Sequence, residues 1–195
     1  KAMSQNMPKD NIERAIKKGT GEIPGIVYEE TRYEAYGPAG VAVLVDVLTD
    51  NKNRTVSEIR HIFTKNNGAM AEAGAVGWNF DRKGLITVAK SGLTDDQIFE
   101  KAIEAGADDV DTEGDMYELK TADSDLHAVV NALEQMGIKV EEAKLTMLPK
   151  TTVKVEGANV GAILRLMESL EDNDDVQDFY ANFDISDEDM AAAMN

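Results

Sequence analysis

The sequence contains no cysteine, which removes disulfides, thiolate zinc sites and cysteine nucleophiles together and agrees with a reducing compartment. No apolar run approaches the roughly 20 residues that cross a bilayer, so no membrane partner is expected. Neither G-x-x-x-x-G-K-[ST] nor G-x-G-x-x-G occurs, and without them there is no glycine-rich phosphate cradle. The nucleophile elbow G-x-S-x-G is missing as well. What remains is a chain of 195 residues, 43% hydrophobic, long enough to bury one large core or two to three small ones.

Basic residues are also scarce, and the formal net charge is −17. That total opposes binding to a polyanion, but the charge is unevenly placed. Residues 91 to 127 hold twelve acids against Lys101 and Lys120, and residues 168 to 189 hold ten acids and no base. In contrast, residues 1 to 18 set Lys1, Lys9, Arg14, Lys17 and Lys18 against Asp10 and Glu13, and residues 51 to 65 set Lys52, Arg54, Arg60 and Lys65 against Glu58. A basic front and an acidic back can orient a molecule on a polyanion despite a negative sum.

The segment from Met7 to Gly19 has proline first, acids early, bases late and glycine last, which predicts a helix. Gly19 to Gly25 reads as a linker. Val27–Tyr36 and Val41–Leu48 predict a hairpin around Gly37-Pro38-Ala39-Gly40, the second strand buried on both faces. Asn53–Asn66 predicts a helix with Val56, Ile59 and Phe63 on one side and Arg54, His61 and Lys65 within about 40° of one another on the other. Gly77–Phe80 and Leu85–Lys90 read as strands around a turn at Asp81–Gly84. Thr94 and Gln97 predict a capping box for a helix ending at Gly106. Strands near Val110 and at Met116–Lys120, a helix bearing Leu126, Val129, Val130 and Leu133, and a strand at Ile138–Leu148 complete a β-α-β-β-α-β order. After Pro149 come a short strand at Val153–Val155, a helix bearing Val160, Ile163, Leu164, Met167 and Leu170, and a strand at Val176–Tyr180. That last helix and strand have no sheet of their own and are expected beside Val41–Leu48, making the middle domain discontinuous. The expected division is 1–24, a helical remnant with linker; 25–83 plus 150–185, the middle domain; 84–149, an inserted ferredoxin-like acidic domain; and 186–195, a tail.

Asp109-Val110-Asp111-Thr112-Glu113-Gly114 matches the first half of a calcium loop, but the twelfth position is Lys120 where a bidentate acid is needed. An acidic β-turn is expected there, with no metal and no cofactor. Ser57 and His61 stand four apart on a helix, without an acid or oxyanion site to make them catalytic. His127 lacks metal-ligand spacing to another histidine and reads as surface. Trp78, the single tryptophan, reads as core, and the carboxylates from Glu168 to Asp178 read as a solvated helix end. The basic constellation is the exception, because cations and amides on one helix face can follow a phosphate backbone without reading bases.

Several strings resemble the YebC/PmpR family: Met7 to Lys17, Tyr33-Glu34-Ala35-Tyr36-Gly37-Pro38-Ala39-Gly40-Val41-Ala42, Leu48-Thr49-Asp50-Asn51-Lys52-Asn53-Arg54-Thr55-Val56-Ser57-Glu58-Ile59-Arg60-His61, Asp81 to Gly84, Glu104 to Val110, and Leu170 to Gln177. The resemblance implies an α+β, multi-domain protein with ferredoxin-like βαββαβ units, one inserted in another. It also implies a non-enzymatic, DNA-binding transcriptional regulator or a translation factor working with mRNA and the ribosome. Family members carry a basic helical segment ahead of the part seen here, which fits a chain opening at Lys1 within a helix-like stretch. Ala35, Ala39 and Asn67 stand where the family has glycine. The expected protein is a cytoplasmic monomer whose nucleic-acid contacts are Lys9, Arg14, Lys17, Lys18, Lys52, Asn53, Arg54, His61 and Lys65. An adaptor acting through the acidic domain is the alternative, and a metal-dependent enzyme comes third.

Overall fold

The computed structural model describes residues 25–194, so the first helix and linker, with Lys9, Arg14, Lys17 and Lys18, lie outside the described residues. In chain order the regular elements are β1 (Glu29–Tyr36), β2 (Ala42–Thr49), α1 (Lys52–Lys65), β3 (Ala69–Met70) and β4 (Phe80–Ala89). They continue with α2 (Asp95–Ala105), β5 (Asp109–Asp111), β6 (Met116–Ala122), α3 (Leu126–Gln135) and β7 (Val140–Pro149). The chain ends with β8 (Val153–Lys154), α4 (Ala158–Glu171), β9 (Val176–Ala181), β10 (Phe183–Asp184) and α5 (Asp187–Ala193).

Two compact units result: Phe80–Leu148, and the residues before and after it. The discontinuous unit has a four-stranded sheet in the order β3-β1-β2-β9, with β1 antiparallel to β2 and β3, and β2 antiparallel to β9. Strand alternation sends Val43, Val45 and Val47 to the side where Ile59 and Phe63 of α1 meet Val160, Ile163, Leu166 and Leu170 of α4. Leu44, on the opposite face, is also fully buried, which explains the apolar run from Ala42 to Val45 in β2. Truncating Phe63 to alanine in this core costs about 3–5 kcal/mol by analogy with other cores.

The Phe80–Leu148 unit has the sheet order β5-β6-β4-β7, which is the ferredoxin-like arrangement of a β-α-β-β-α-β chain. The discontinuous unit has the same layout with one strand moved: β1, which lies between β2 and β3, precedes both in the chain instead of following them.

Three expectations need correction. Asp81–Gly84 is not a turn, because β4 runs unbroken from Phe80 to Ala89 with Lys83 opposite Ala122 and Gly84 opposite Thr121. Gly84 is required by packing: a Cβ there would lie 2.2 Å from the Thr121 hydroxyl and 2.9 Å from Leu126. Gly77–Asn79 is a 3-10 turn, not part of a strand. Within 186–195 stands α5, started by the Ser186 side chain accepting from the Asp189 N–H and by three acids in its first turn.

An asparagine clasp in the discontinuous unit closes the point where the chain leaves and returns. Asn79 accepts from the Thr151 N–H at 3.0 Å and hydroxyl at 2.9 Å and donates to the Thr151 carbonyl at 3.1 Å. Asn182 donates to the same carbonyl at 3.1 Å and accepts from the Ala42 N–H at 2.7 Å. Both asparagines are buried, so each satisfied group avoids a desolvation cost of about 1–3 kcal/mol.

Candidate nucleic-acid interface

The helix α1 begins with a dense polar lock. The Asn51 side chain accepts from the Arg54 N–H at 3.1 Å as N-cap, and the Thr49 hydroxyl accepts from the Asn51 N–H at 2.9 Å. The Thr55 hydroxyl donates to Asp175 at 2.8 Å and lies 2.7 Å from that of Thr49. Asp175 also accepts through its backbone carbonyl from Leu48 N–H at 2.8 Å, and its side chain is only 4% exposed.

Arg54 belongs to this lock. Its Nη2 lies 2.9 Å from both Asp175 and Asp50, and its Nε lies 3.8 Å from Glu58. Hydrogen bonds to Asp175 first and Asp50 second raise its pKa above the ordinary guanidinium value. Glu58 in turn accepts from the Asn173 side chain at 3.1 Å. The carboxylates from Glu168 to Asp178 are therefore not simply a solvated helix end, since Asp175 is buried against α1. The acidic stretch reaches the first turns of the basic helix, and Arg54 faces carboxylates because they compensate its charge there.

The outer face of α1 is different. Asn53, Ser57, Arg60, His61, Thr64 and Lys65 are exposed. Ser57 donates to the Asn53 carbonyl at 2.9 Å, so its hydroxyl is turned back on its own helix and not toward His61. Lys52 pairs with Glu29 at 3.3 Å, both side chains half exposed, a contact worth at most about 1 kcal/mol. Among the described residues, no hydrogen bond or ion pair engages the side chains of Arg60, His61 or Lys65. The helix thus divides into a neutralised N-terminal part and a cationic C-terminal part.

Beyond α1 the chain turns at Asn66, Asn67 and Gly68. Gly68 is packed so closely that a Cβ would come 2.5 Å from the Tyr36 carbonyl. The turn therefore sets the end of α1 against the end of β1, where Tyr36 pairs with Ala69. On the sheet face opposite α1, Glu34 accepts from the N–H groups of Gly74, Val76 and Gly77, each at 2.7 Å. Burial pushes the Glu34 pKa up, but those three bonds and Arg32 outweigh it and hold the carboxyl below its usual range. Trp78 is 64% exposed, which corrects its assignment to the core. Its indole N–H donates to the Ala75 carbonyl at 2.9 Å, and the Tyr36 hydroxyl donates to the same oxygen at 3.3 Å. This aromatic corner has one signal in the sequence, the alternation of Glu34 and Tyr36 on one strand face.

In the Phe80–Leu148 unit, the calcium-loop positions one and twelve are cross-strand partners, and Lys120 pairs with Asp109 at 3.1 Å. Among the described residues, no group of three or more His, Cys, Asp or Glu side chains is placed to hold a metal ion. None of the described helices is long and apolar enough to cross a membrane. His127 is exposed on α3.

The family model for the TACO1/YebC second and third domain matches residues 28–183. The chain belongs to the TACO1/YebC family. A probable transcriptional regulatory protein of Geobacter sp. strain M21 is 58% identical over 194 residues, spanning 100% of this chain and 78% of the relative. One from Acidithiobacillus ferrooxidans strain ATCC 53993 is 55% identical over 191 residues, 98% of this chain and 76% of the relative. The crystal structure of a conserved hypothetical protein from Aquifex aeolicus is 43% identical with a TM-score of 0.76, covering 95% of this chain and 77% of that one.

Proposed function

We propose that this TACO1/YebC protein is a non-enzymatic regulator of gene expression that meets a nucleic-acid phosphate backbone through the outer face of α1. The observation carrying the reading is the exposure of Arg60, His61 and Lys65, with no acid paired to them among the described residues, on the same helix where Arg54 is paired with Asp175 and Asp50. Lys52 and Asn53 extend the surface, and Lys9, Arg14, Lys17 and Lys18 add to it from the segment ahead. Arg54 acts as a positioning residue that fixes the helix against Asp175. The relatives' description as probable transcriptional regulatory proteins supports a partner in gene expression, either DNA or mRNA and the ribosome. The working compartment is the cytoplasm and the acting form a monomer.

Contacts of this kind release counterions, so binding weakens steeply with salt. A salt series on labelled duplex DNA and on single-stranded RNA, with Arg60→Ala, Lys65→Ala and the acidic control Asp174→Ala, tests the reading. Each cationic variant is expected to lower the salt slope by about one unit on every sequence, and the control to leave it unchanged. Equal slopes for all three variants would remove α1 from the interface. Crosslinking in cells then separates DNA from mRNA and ribosomal RNA.

A second reading, a protein adaptor, is favoured by Phe99 and Ile103, an exposed apolar pair one helical turn apart on α2 of the acidic unit. Phe99→Ser would abolish partner capture on that reading and leave nucleic-acid binding intact.

A further inference from the structure

We infer that Arg165 is a further phosphate contact, which carries the nucleic-acid surface from α1 across onto the first half of α4; the inference rests on the nucleic-acid reading above. The cations of the discontinuous unit divide into two groups. Among its described residues, Arg32 pairs with Asp46, Lys52 with Glu29, Arg54 with Asp175 and Asp50, and Lys154 with Glu156, and Lys150 is engaged as well. Arg60, Lys65 and Arg165 remain: all three are exposed, and no hydrogen bond or ion pair among the described residues engages their side chains. Arg165 escapes a count of charge along the sequence because it stands three residues before Glu168, where the stretch of ten acids without a base begins.

The fold brings Arg165 level with Lys65. Both helices cover the same face of the sheet, so their exposed sides look the same way. At one end of the pair, Arg54 and Glu58 of α1 touch Asp175 and Asn173, just past the end of α4. At the other end, a Cβ on Gly68, just past α1, would lie 3.2 Å from Gly37, and a Cβ on Gly37 would lie 3.0 Å from Leu166 and 3.4 Å from Ile163. The helices are therefore antiparallel, and the last turn of α1 is level with Ile163 to Leu166. Counting about 1.5 Å per residue from the contact of Glu58 with Asn173 gives the same level, with Lys65 opposite Leu166. At about 100° per residue, Lys65 also leaves α1 within about 20° of Arg54 and Glu58, on the side turned toward α4. Packed helix axes lie about 8–10 Å apart, a gap that two long cationic side chains bridge to phosphates of one backbone.

Charge on α4 is itself divided. From Ala158 to Met167 the single charged residue is Arg165, and Glu168, Glu171, Asp172 and Asp174 follow. Glu168 is one turn from Arg165, yet the guanidinium lies back along the helix toward Gly161, where its Nη1 would be 3.2 Å from an added Cβ. The missing side chain of Gly161 leaves that path clear. A guanidinium without a carboxylate keeps its fork of donors for a phosphate, which it matches in geometry. The first half of α4 thus attracts a polyanion and the second half repels it, so the surface ends where the acids begin.

The chain has no cysteine, so a single introduced thiol can be labelled without background. Arg165→Cys and Asp172→Cys, each carrying a photoreactive maleimide, are irradiated with the labelled duplex DNA and with the single-stranded RNA. The label replacing Arg165 is expected to crosslink to the bound strand, and the one replacing Asp172 is not. In a salt series, Arg165→Ala should lower the slope by about one unit, Arg165→Lys should keep it, and Arg165→Ala combined with Lys65→Ala should lower it by about two. Melting curves that match the wild type establish that the variants are folded.

A wild-type slope in Arg165→Ala, with lowered slopes in Arg60→Ala and Lys65→Ala, would overturn the inference and leave α1 standing as the interface. Unaltered slopes in all of these variants would overturn both. A crosslink through Asp172→Cys as strong as that through Arg165→Cys would put the acidic half of α4 inside the interface and overturn the boundary.

Discussion

Arg54 and Asp175 meet at 2.9 Å across the start of α1, joining two stretches of the chain that the sequence places far apart. The pair is asymmetric: Asp175 is almost wholly buried, while Arg54 keeps its outer edge in solvent. Removing the arginine therefore strands a buried carboxylate. Arg54→Ala is expected to destabilise the protein by about 1.5–3 kcal/mol, the exposed edge pulling the value toward the lower end, as read by urea unfolding. Arg54→Ala combined with Asp175→Asn should recover part of that loss. A double variant no better than the single one would mean that the pair is not the source.

The Glu34 carboxyl is held below its usual range, so its folded pKa is lower than its unfolded value of about 4.3. The stability it contributes is present above that value and is lost as pH falls through the folded pKa. Trp78 emission, followed through acid, should change only below the ordinary carboxylate range as the loop from Ala71 to Asn79 loses its anchor. In Glu34→Gln the change should already be present at neutral pH. An emission curve that is the same in both proteins would detach the loop from Glu34.

Ala39 sits at φ 59°, in the left-handed region that costs an alanine about 1–2 kcal/mol. Glycine there removes the strain but gives the unfolded chain more freedom, worth about 0.4–1 kcal/mol in the other direction. Ala39→Gly is expected to raise the melting temperature by a few degrees, and a lower one would mean that the alanine methyl has a packing role.

Asp109 titrates below its ordinary value because the Lys120 ammonium hydrogen-bonds to it first and attracts it second. Its contribution likewise exists above the unfolded pKa and disappears as pH falls through the folded one. In Lys120→Met, NMR titration should find Asp109 returned toward the usual aspartate range, with little change in melting temperature because the pair is exposed. Lys120→Glu should lose stability by placing two carboxylates opposite one another. Calcium protection of that variant would revive the metal loop.

Elements whose signals are local were legible. The Thr94 and Gln97 capping box starts α2, and Gly106 at φ 100° ends it, because both devices act within one turn. Gly84 misled because glycine usually punctuates a chain, whereas here Thr121 and Leu126 from other elements demand the missing side chain. Helical spacing grouped Arg54 with His61 and Lys65, but spacing carries no information about Asp175, which draws Arg54 into the lock at the start of α1. Trp78 lies in an apolar run that reads as core, and its exposure depends on a loop held outward by a glutamate forty-three residues away from Gly77.

The discontinuous unit has a consequence for synthesis. β2 reaches the ribosome exit long before its neighbour β9, with the whole Phe80–Leu148 segment translated in between, so the Val45 and Phe179 pairing waits on a long loop closure. Until then the apolar face of β2 lacks α4 and must be shielded by α1 alone. The segment from Phe80 to Leu148 is under no such delay: all of its strands and both helices emerge consecutively, and it can finish folding while the unit around it is still half made. Once it has, the ends that Asn79 and Thr151 clasp are already close, and the remaining closure is that of a short loop.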